Sequence, residues 1–145
     1  MIGLLQRVSG ANVSIGGETA GEIGRGLLVL VAVRKDDTAA SAERLLERML
    51  GYRVFPDADG RMNLSLRDIS GELLLVPQFT LAADTKKGTR ASFGPAAAPE
   101  EGRRLFELLC RLAAASGIRT ATGRFGANMQ VSLVNDGPVT FWLET

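Results

Sequence analysis

Two short stretches break the local rules of the segments around them. Pro77-Gln78-Phe79-Thr80 interrupts a run that otherwise reads as a strand, and in a strand Gln78 and Thr80 share one face while Phe79 points to the other. Pro77 has no ladder N–H, so the strand must bulge, end or lie at an edge here, and neighbouring N–H groups are freed. Free N–H groups beside a hydroxyl are the parts of an oxyanion hole. The plainer reading is an edge strand carrying two solvated polar residues, and the residue types alone favour it. The second stretch, Asn135-Asp136-Gly137-Pro138, is by type a hairpin turn. Only about 5–6% of X-Pro bonds are cis, so trans is the default. A cis bond would turn the Gly137 and Pro138 carbonyls in similar directions as paired acceptors, with no side chain to block close approach.

The rest of the composition narrows the chemistry. There is no histidine and only one cysteine, Cys110. Ser-His-Asp and Cys-His catalysis are therefore excluded, as are histidine and thiolate zinc sites and any internal disulfide. A hydrolase built from this chain has to use backbone dipoles, hydroxyls, carboxylates or its own substrate. Cys110 lies among Leu108, Leu109 and Leu112 and reads as a small buried hydrophobe. Asp57 and Asp59 lack the remaining ligands of a calcium loop and read as part of a plain turn. No metal or cofactor is expected. The net charge of +1 is low for a protein that wraps nucleic acid by charge alone, but it allows contact with the end of an RNA.

These residues need a frame. The 145 residues, 46% hydrophobic and 23% charged, suit one domain with a real core. No apolar run approaches the roughly 18 residues of a membrane span, and Gln6 and Arg7 break up the first apolar stretch, so the expectation is a cytoplasmic chain without a signal peptide. Strands are expected at Ile2–Val8, at Asn12–Ile15 before a Gly16-Gly17 turn, and at Leu27–Val33, whose continuous apolar run suits burial on both faces. A helix is expected over Thr38–Leu50, capped by Asp37 or Thr38, with Ala42, Leu45, Leu46, Met49 and Leu50 inward and Gly51 at C′. Tyr52–Phe55 reads as a short strand and Glu72–Leu81 as a central one. A second helix spans Pro99–Ser116, with Pro99 at N1, Gly117 at C′, and Leu105, Leu108, Leu109, Leu112 and Ala113 inward. Ile118–Thr122, Met129–Val134 and Val139–Leu143 close the chain as strands. The class is α+β, with a largely antiparallel sheet or barrel-like core and two main helices. Between Ala82 and Pro99 lies a long stretch without periodicity, and Lys86, Lys87 and Arg90 within it suggest an anionic partner.

Taken together, the motifs resemble those of D-aminoacyl-tRNA deacylases of the bacterial and eukaryotic type. That family carries Ser-Gln-Phe-Thr-Leu and Gly-Pro-Val-Thr motifs. Here they stand as Pro77-Gln78-Phe79-Thr80-Leu81 and Gly137-Pro138-Val139-Thr140. Similarity also covers Gln6-Arg7-Val8, Met62-Asn63-Leu64-Ser65, Asp84-Thr85-Lys86-Lys87-Gly88, Thr122-Gly123-Arg124-Phe125-Gly126 and Met129 through Asn135, in order over nearly the whole length. Each motif alone is weak; in this order they are specific.

The resemblance implies a single domain over 1–145 that forms a homodimer, with a cis Gly137-Pro138 bond whose loop enters the partner's active site. It implies that Gln78, Phe79 and Thr80 line a pocket for the terminal aminoacyl-adenosine of tRNA, that Met129 lies near it, and that Arg7 holds the Gly-Pro loop. Pro77 departs from the family serine, so no hydroxyl is available at that position. A mechanism resting on main-chain N–H groups and the RNA's own 2′-hydroxyl remains open, as does one with Thr80 as nucleophile. Two other readings stand beside the deacylase: a non-catalytic RNA-end module using Lys86, Lys87, Arg90 and Arg124, and a general small-ester hydrolase. Neither DNA nor a membrane is an expected partner.

Overall fold

The computed structural model describes residues 1–145. β1 (Ile2–Ile15) turns through Gly16 and Gly17, both at positive φ, into β2 (Glu18–Ile23), which continues as β3 (Gly26–Ala32). The expected strands at Ile2–Val8 and Asn12–Ile15 are thus one strand. β1 pairs antiparallel with β3 along its first half and with β2 along its second. α1 (Ala39–Gly51) follows, capped by Thr38 and Ser41 in a reciprocal capping box. Its five predicted inward residues are all buried, while Gly51 is the last helical residue rather than C′. The strand expected at Tyr52–Phe55 is shifted: β4 (Phe55–Pro56) pairs with β5 (Met62–Leu64) around a turn. The Asp57 carboxylate accepts N–H bonds from Asp59 and Arg61, both 2.9 Å, and from the Asn63 amide at 2.7 Å. The bond from Asn63, followed by that from the Arg61 backbone, holds the Asp57 carboxyl below its ordinary range.

β6 (Glu72–Pro77) runs parallel to β3, and β7 (Thr120–Thr122) parallel to β6. Each parallel neighbour requires a crossover, which runs through α1 between β3 and β6 and through α2 (Pro99–Ala115) between β6 and β7. Pro99 opens this helix and Gly117, at φ +82°, follows its C-cap. Leu105, Leu109 and Ala113 are buried as expected, whereas Phe106 and Gly102 take the inward places that Leu108 and Leu112 only partly fill. Burial, more than the charge of Glu107, pushes the Cys110 thiol up to about 12, in keeping with an inert side chain. Antiparallel pairing dominates the sheet: β1 has three antiparallel neighbours, and the two parallel pairs are those around β6. The sheet curls until β2 meets β7. A Cβ placed on Gly21 would lie 3.1 Å from the Thr122 carbonyl oxygen, which makes the sheet a nearly closed barrel.

The core has two sides. Leu5, Leu27, Val29, Leu73 and Leu75 face α1 and α2, while Val8, Val13, Ile23, Leu28, Leu74 and Val76 fill the barrel. β3 and β6 are therefore buried on both faces, which is why their sequences read as unbroken apolar runs. No helix is long and apolar enough to cross a membrane.

The last expected hairpin is absent. β8 (Gln130–Glu144) is one long strand lying antiparallel to β1 on the side away from β3. Leu143 pairs with Gly3 and Thr140 with Gln6; Asn135 pairs with Val8 and Val131 with Val13. Residues 136–139 fall between these registers and swing out as a loop opposite Arg7. Asp-Gly-Pro chemistry here makes a local excursion within a strand, because both flanks zip onto the same partner.

Candidate active site

β6 ends where its proline stands, which corrects the expected strand through Leu81. The Gln78 N–H donates to the Val31 carbonyl at 2.7 Å, so the Pro77 nitrogen faces the β7 side. On that side Thr122 pairs with Leu75, and the Gly123 N–H still donates to the Leu75 carbonyl at 2.8 Å. The next bond of the ladder would run from residue 77 to the Gly123 carbonyl, and Pro77 has no N–H to make it, so the pairing stops there. Beyond it the chain tightens into a 3-10 turn, Phe79–Ala82, so the alternating strand faces expected for Gln78, Phe79 and Thr80 do not apply.

The turn has a chemical consequence. Its first internal bond runs from Leu81 N–H to the Gln78 carbonyl at 3.2 Å, followed by Ala83 N–H to Thr80 O at 3.1 Å. The Phe79 and Thr80 N–H groups precede that bond and donate to nothing within the chain. The Gln78 side-chain amide donates to Thr80 Oγ1 at 2.5 Å, and no carboxylate or amine contacts that hydroxyl. The Phe79 ring is 56% exposed and leans on Phe93 of the following loop, with centroids 4.9 Å apart.

Beside this turn opens a cavity of about 470 Å³. It lies outside the carboxyl ends of the parallel strands β3 and β6, where open α/β sheets place their ligands. Val31, Val76 and Val131 form its sheet wall, Pro99, Gly102 and Phe106 of α2 its far wall, and Phe125 and Met129 a flank, with Gln78 and Phe79 at the mouth. Met129 is held from behind. A Cβ on Gly123 would stand 2.8 Å from its sulfur, the Arg124 N–H lies 3.4 Å from the same atom, and the Pro77 ring packs against Gly123.

Arg7, Gly137 and Pro138 do not line this cavity. They form a separate cluster on β1 and β8. Arg7 Nε donates to the Asp136 carbonyl at 2.7 Å and lies 3.4 Å from the Asp136 carboxylate, while Nη1 donates to Val54 O at 2.6 Å. The Gly137–Pro138 peptide is cis, in place of the trans form that residue statistics give. Of the basic residues singled out in the sequence, Lys86 borders a second hollow with Trp142 and Glu144, while Lys87 and Arg90 sit exposed in the same loop. None of these three, nor Arg124, forms a salt bridge. Sequence reasoning missed Phe106 and Phe125 as cavity walls. The helical spacing from Gly102 to Phe106 and Leu109 was the available signal for the first.

The family model described as D-Tyr-tRNA(Tyr) deacylase matches residues 4–144. The chain belongs to the D-Tyr-tRNA(Tyr) deacylase family. Membership makes it an enzyme, a deacylase that hydrolyses an ester. A D-aminoacyl-tRNA deacylase of Alkalilimnicola ehrlichii is 65% identical over 144 residues, covering 99% of this chain and 96% of that one. The protein of the same name from Pseudomonas fluorescens is 61% identical over 145 residues, with both chains fully covered. Among solved structures, one described as a c-Myc DNA unwinding element binding protein matches with a TM-score of 0.94 at 36% identity, covering 100% of this chain and 99% of that one. A probable eukaryotic D-amino acid tRNA deacylase shares the fold, with a TM-score of 0.87 at 18% identity over 99% and 98% of the two chains.

Proposed function

We propose that this deacylase cleaves the ester of D-aminoacyl-tRNA in the cytoplasm, as a homodimer in which each cavity is completed by the Gly137–Pro138 loop of the other copy. The observation that carries this reading is that the two halves of the site do not meet in one chain: the cavity holds Gln78, Phe79 and Met129, while the loop stands apart on β8. Exposed Leu133, Val134 and Trp142 on β8 offer an apolar surface for a second copy.

In this mechanism the terminal adenosine sits in the cavity and its ester carbonyl meets the unused N–H groups of Phe79 and Thr80. These stabilise the developing oxyanion. The RNA's vicinal 2′-hydroxyl assists water, since no protein base stands ready. The Thr80 hydroxyl is a poor nucleophile because its oxygen already accepts the Gln78 amide and no base is positioned to take its proton. The partner's Gly137 and Pro138 carbonyls face the α-carbon. They leave room for a D side chain and exclude an L one, so selection is rejection on steric grounds. Glycine, without a side chain, passes. Lys86, Lys87 and Arg90, free of carboxylate partners, are placed to meet RNA phosphates.

Two experiments test the proposal. Deacylation of D-tyrosyl-, L-tyrosyl- and glycyl-tRNA is expected to be efficient, negligible and efficient, respectively. RNA binding that ignores acylation, with no turnover, supports the binding module instead, and cleavage of simple esters without RNA supports the general hydrolase. Thr80→Ala is expected to keep kcat for D-tyrosyl-tRNA within about tenfold of the parent. Complete loss of turnover with intact tRNA binding overturns the main-chain mechanism.

A further inference from the structure

Residues 136–139 leave the β1 ladder and have only Arg7 opposite them. Four residues without ladder bonds need another support, and Arg7 reaches only the first of them. The support at the neck of the loop is Asn135. Its side-chain Nδ2 donates to the Val139 carbonyl at 3.0 Å, and its Oδ1 accepts the Val139 N–H at 3.1 Å. A carboxamide carries the same donor and acceptor as a peptide group, so it pairs with both backbone groups of Val139 as a neighbouring strand would. Nδ2 also donates to the Arg7 carbonyl at 3.3 Å, which fixes the neck to β1. The loop folds over this amide closely: a Cβ on Gly137 would lie 3.0 Å from Asn135 Oδ1 and 2.0 Å from the Val139 nitrogen.

We propose that Asn135 is the positioning residue that sets the shape of the Gly137–Pro138 loop and, through it, the handedness filter. The inference rests on the cross-subunit reading above and adds to it the group that holds the carbonyls in place. Only asparagine meets the geometry. Aspartate keeps the acceptor for Val139 N–H but lacks both donor bonds, and glutamine is one methylene too long.

The test compares kcat/KM for D- and L-tyrosyl-tRNA in Asn135→Ala, Asn135→Asp and Gly137→Ala, with thermal unfolding of each. Asn135→Ala is expected to reduce the D/L ratio at least about tenfold, chiefly by raising cleavage of the L substrate, as misplacement of a positioning group does. The near-isosteric Asn135→Asp keeps the fold if the alanine variant does not, and it is expected to lower the ratio in the same direction. Gly137→Ala, which forces the loop itself to move, separates the two layers of the argument. If it lowers the ratio while both Asn135 variants leave it within about twofold, the clamp is wrong and the filter stands. If none of the three variants moves the ratio, the filter reading fails and takes the clamp with it.

Discussion

Replacing Phe79 by phenyllactate, which exchanges its backbone N–H for an ester oxygen and keeps the ring, is expected to lower kcat for D-tyrosyl-tRNA by about 10²–10³-fold, as removal of one oxyanion donor does. The size of the effect follows from preorganisation. The Phe79 and Thr80 N–H groups are held by a 3-10 turn that spends neither of them on itself. On the proposed mechanism they are fixed in place before substrate arrives and need no rearrangement as charge develops. Because the Phe79 N–H has no partner in the folded chain, its loss should leave urea unfolding little changed. The same exchange at Ala83, whose N–H does bond to Thr80 O at 3.1 Å, should cost stability and spare the chemistry. A kcat within a few-fold of the parent for the Phe79 ester would remove the main chain from the mechanism.

Gly26→Ala is expected to be the most damaging single methyl in the chain. Gly26 pairs with Val8 on one side and Glu72 on the other, at the start of the central strand β3. A Cβ there would stand 1.9 Å from the Glu72 carbonyl oxygen and 2.7 Å from both its carbonyl carbon and its nitrogen. All three are backbone atoms of a paired strand, so relief requires parting β3 from β6. A loss of about 4 kcal/mol or more, or failure to fold, is the expected result in urea titration. Gly71 makes the contrast. Its nearest contacts, at 2.6 and 2.9 Å, are the side-chain tips of Leu66 and Ile69, which can turn aside. An unfolding midpoint for Gly26→Ala equal to that of the parent would show that the strands separate more easily than this packing implies.

Much of the fold was legible because local signals and burial agreed. α1 announced itself through Thr38 and five apolar residues at helical spacing, and α2 through Pro99 and Gly117. Strand boundaries were harder wherever the deciding contact was distant in sequence. Nothing local says that Ile2–Val8 and Asn12–Ile15 are one strand; their union comes from β8 running alongside both. The same partner turns Asn135-Asp136-Gly137-Pro138 from a hairpin into an excursion. Pro77 marks an irregularity in the expected strand Glu72–Leu81, with bulge, end and edge all open; the strand in fact ends there. The 3-10 turn after it was not foreseen, because Phe79, Thr80 and Leu81 all suit strands and only the end of β7 frees the chain to tighten. For the candidate site, Gln78, Phe79 and Met129 come together at the cavity, Thr80 stands next to it without lining it, and Arg7, Gly137 and Pro138 gather elsewhere. Arg7 was assigned to the loop through the family resemblance. Asn135 was visible only as a turn residue, because its role depends on where Val139 ends up.

The excursion in β8 also bears on solubility. β8 runs for 15 residues and pairs as a strand with β1 alone, so in a single chain its outer rim offers a long row of main-chain groups without a strand partner. Such rims recruit foreign strands and seed aggregates. Here the row is broken near its middle by four residues that leave the plane of the sheet, one of them a proline with nothing to donate. Trimming 136–139 to restore an unbroken ladder would therefore do more than remove a loop: it would hand neighbouring molecules a continuous template for sticky growth.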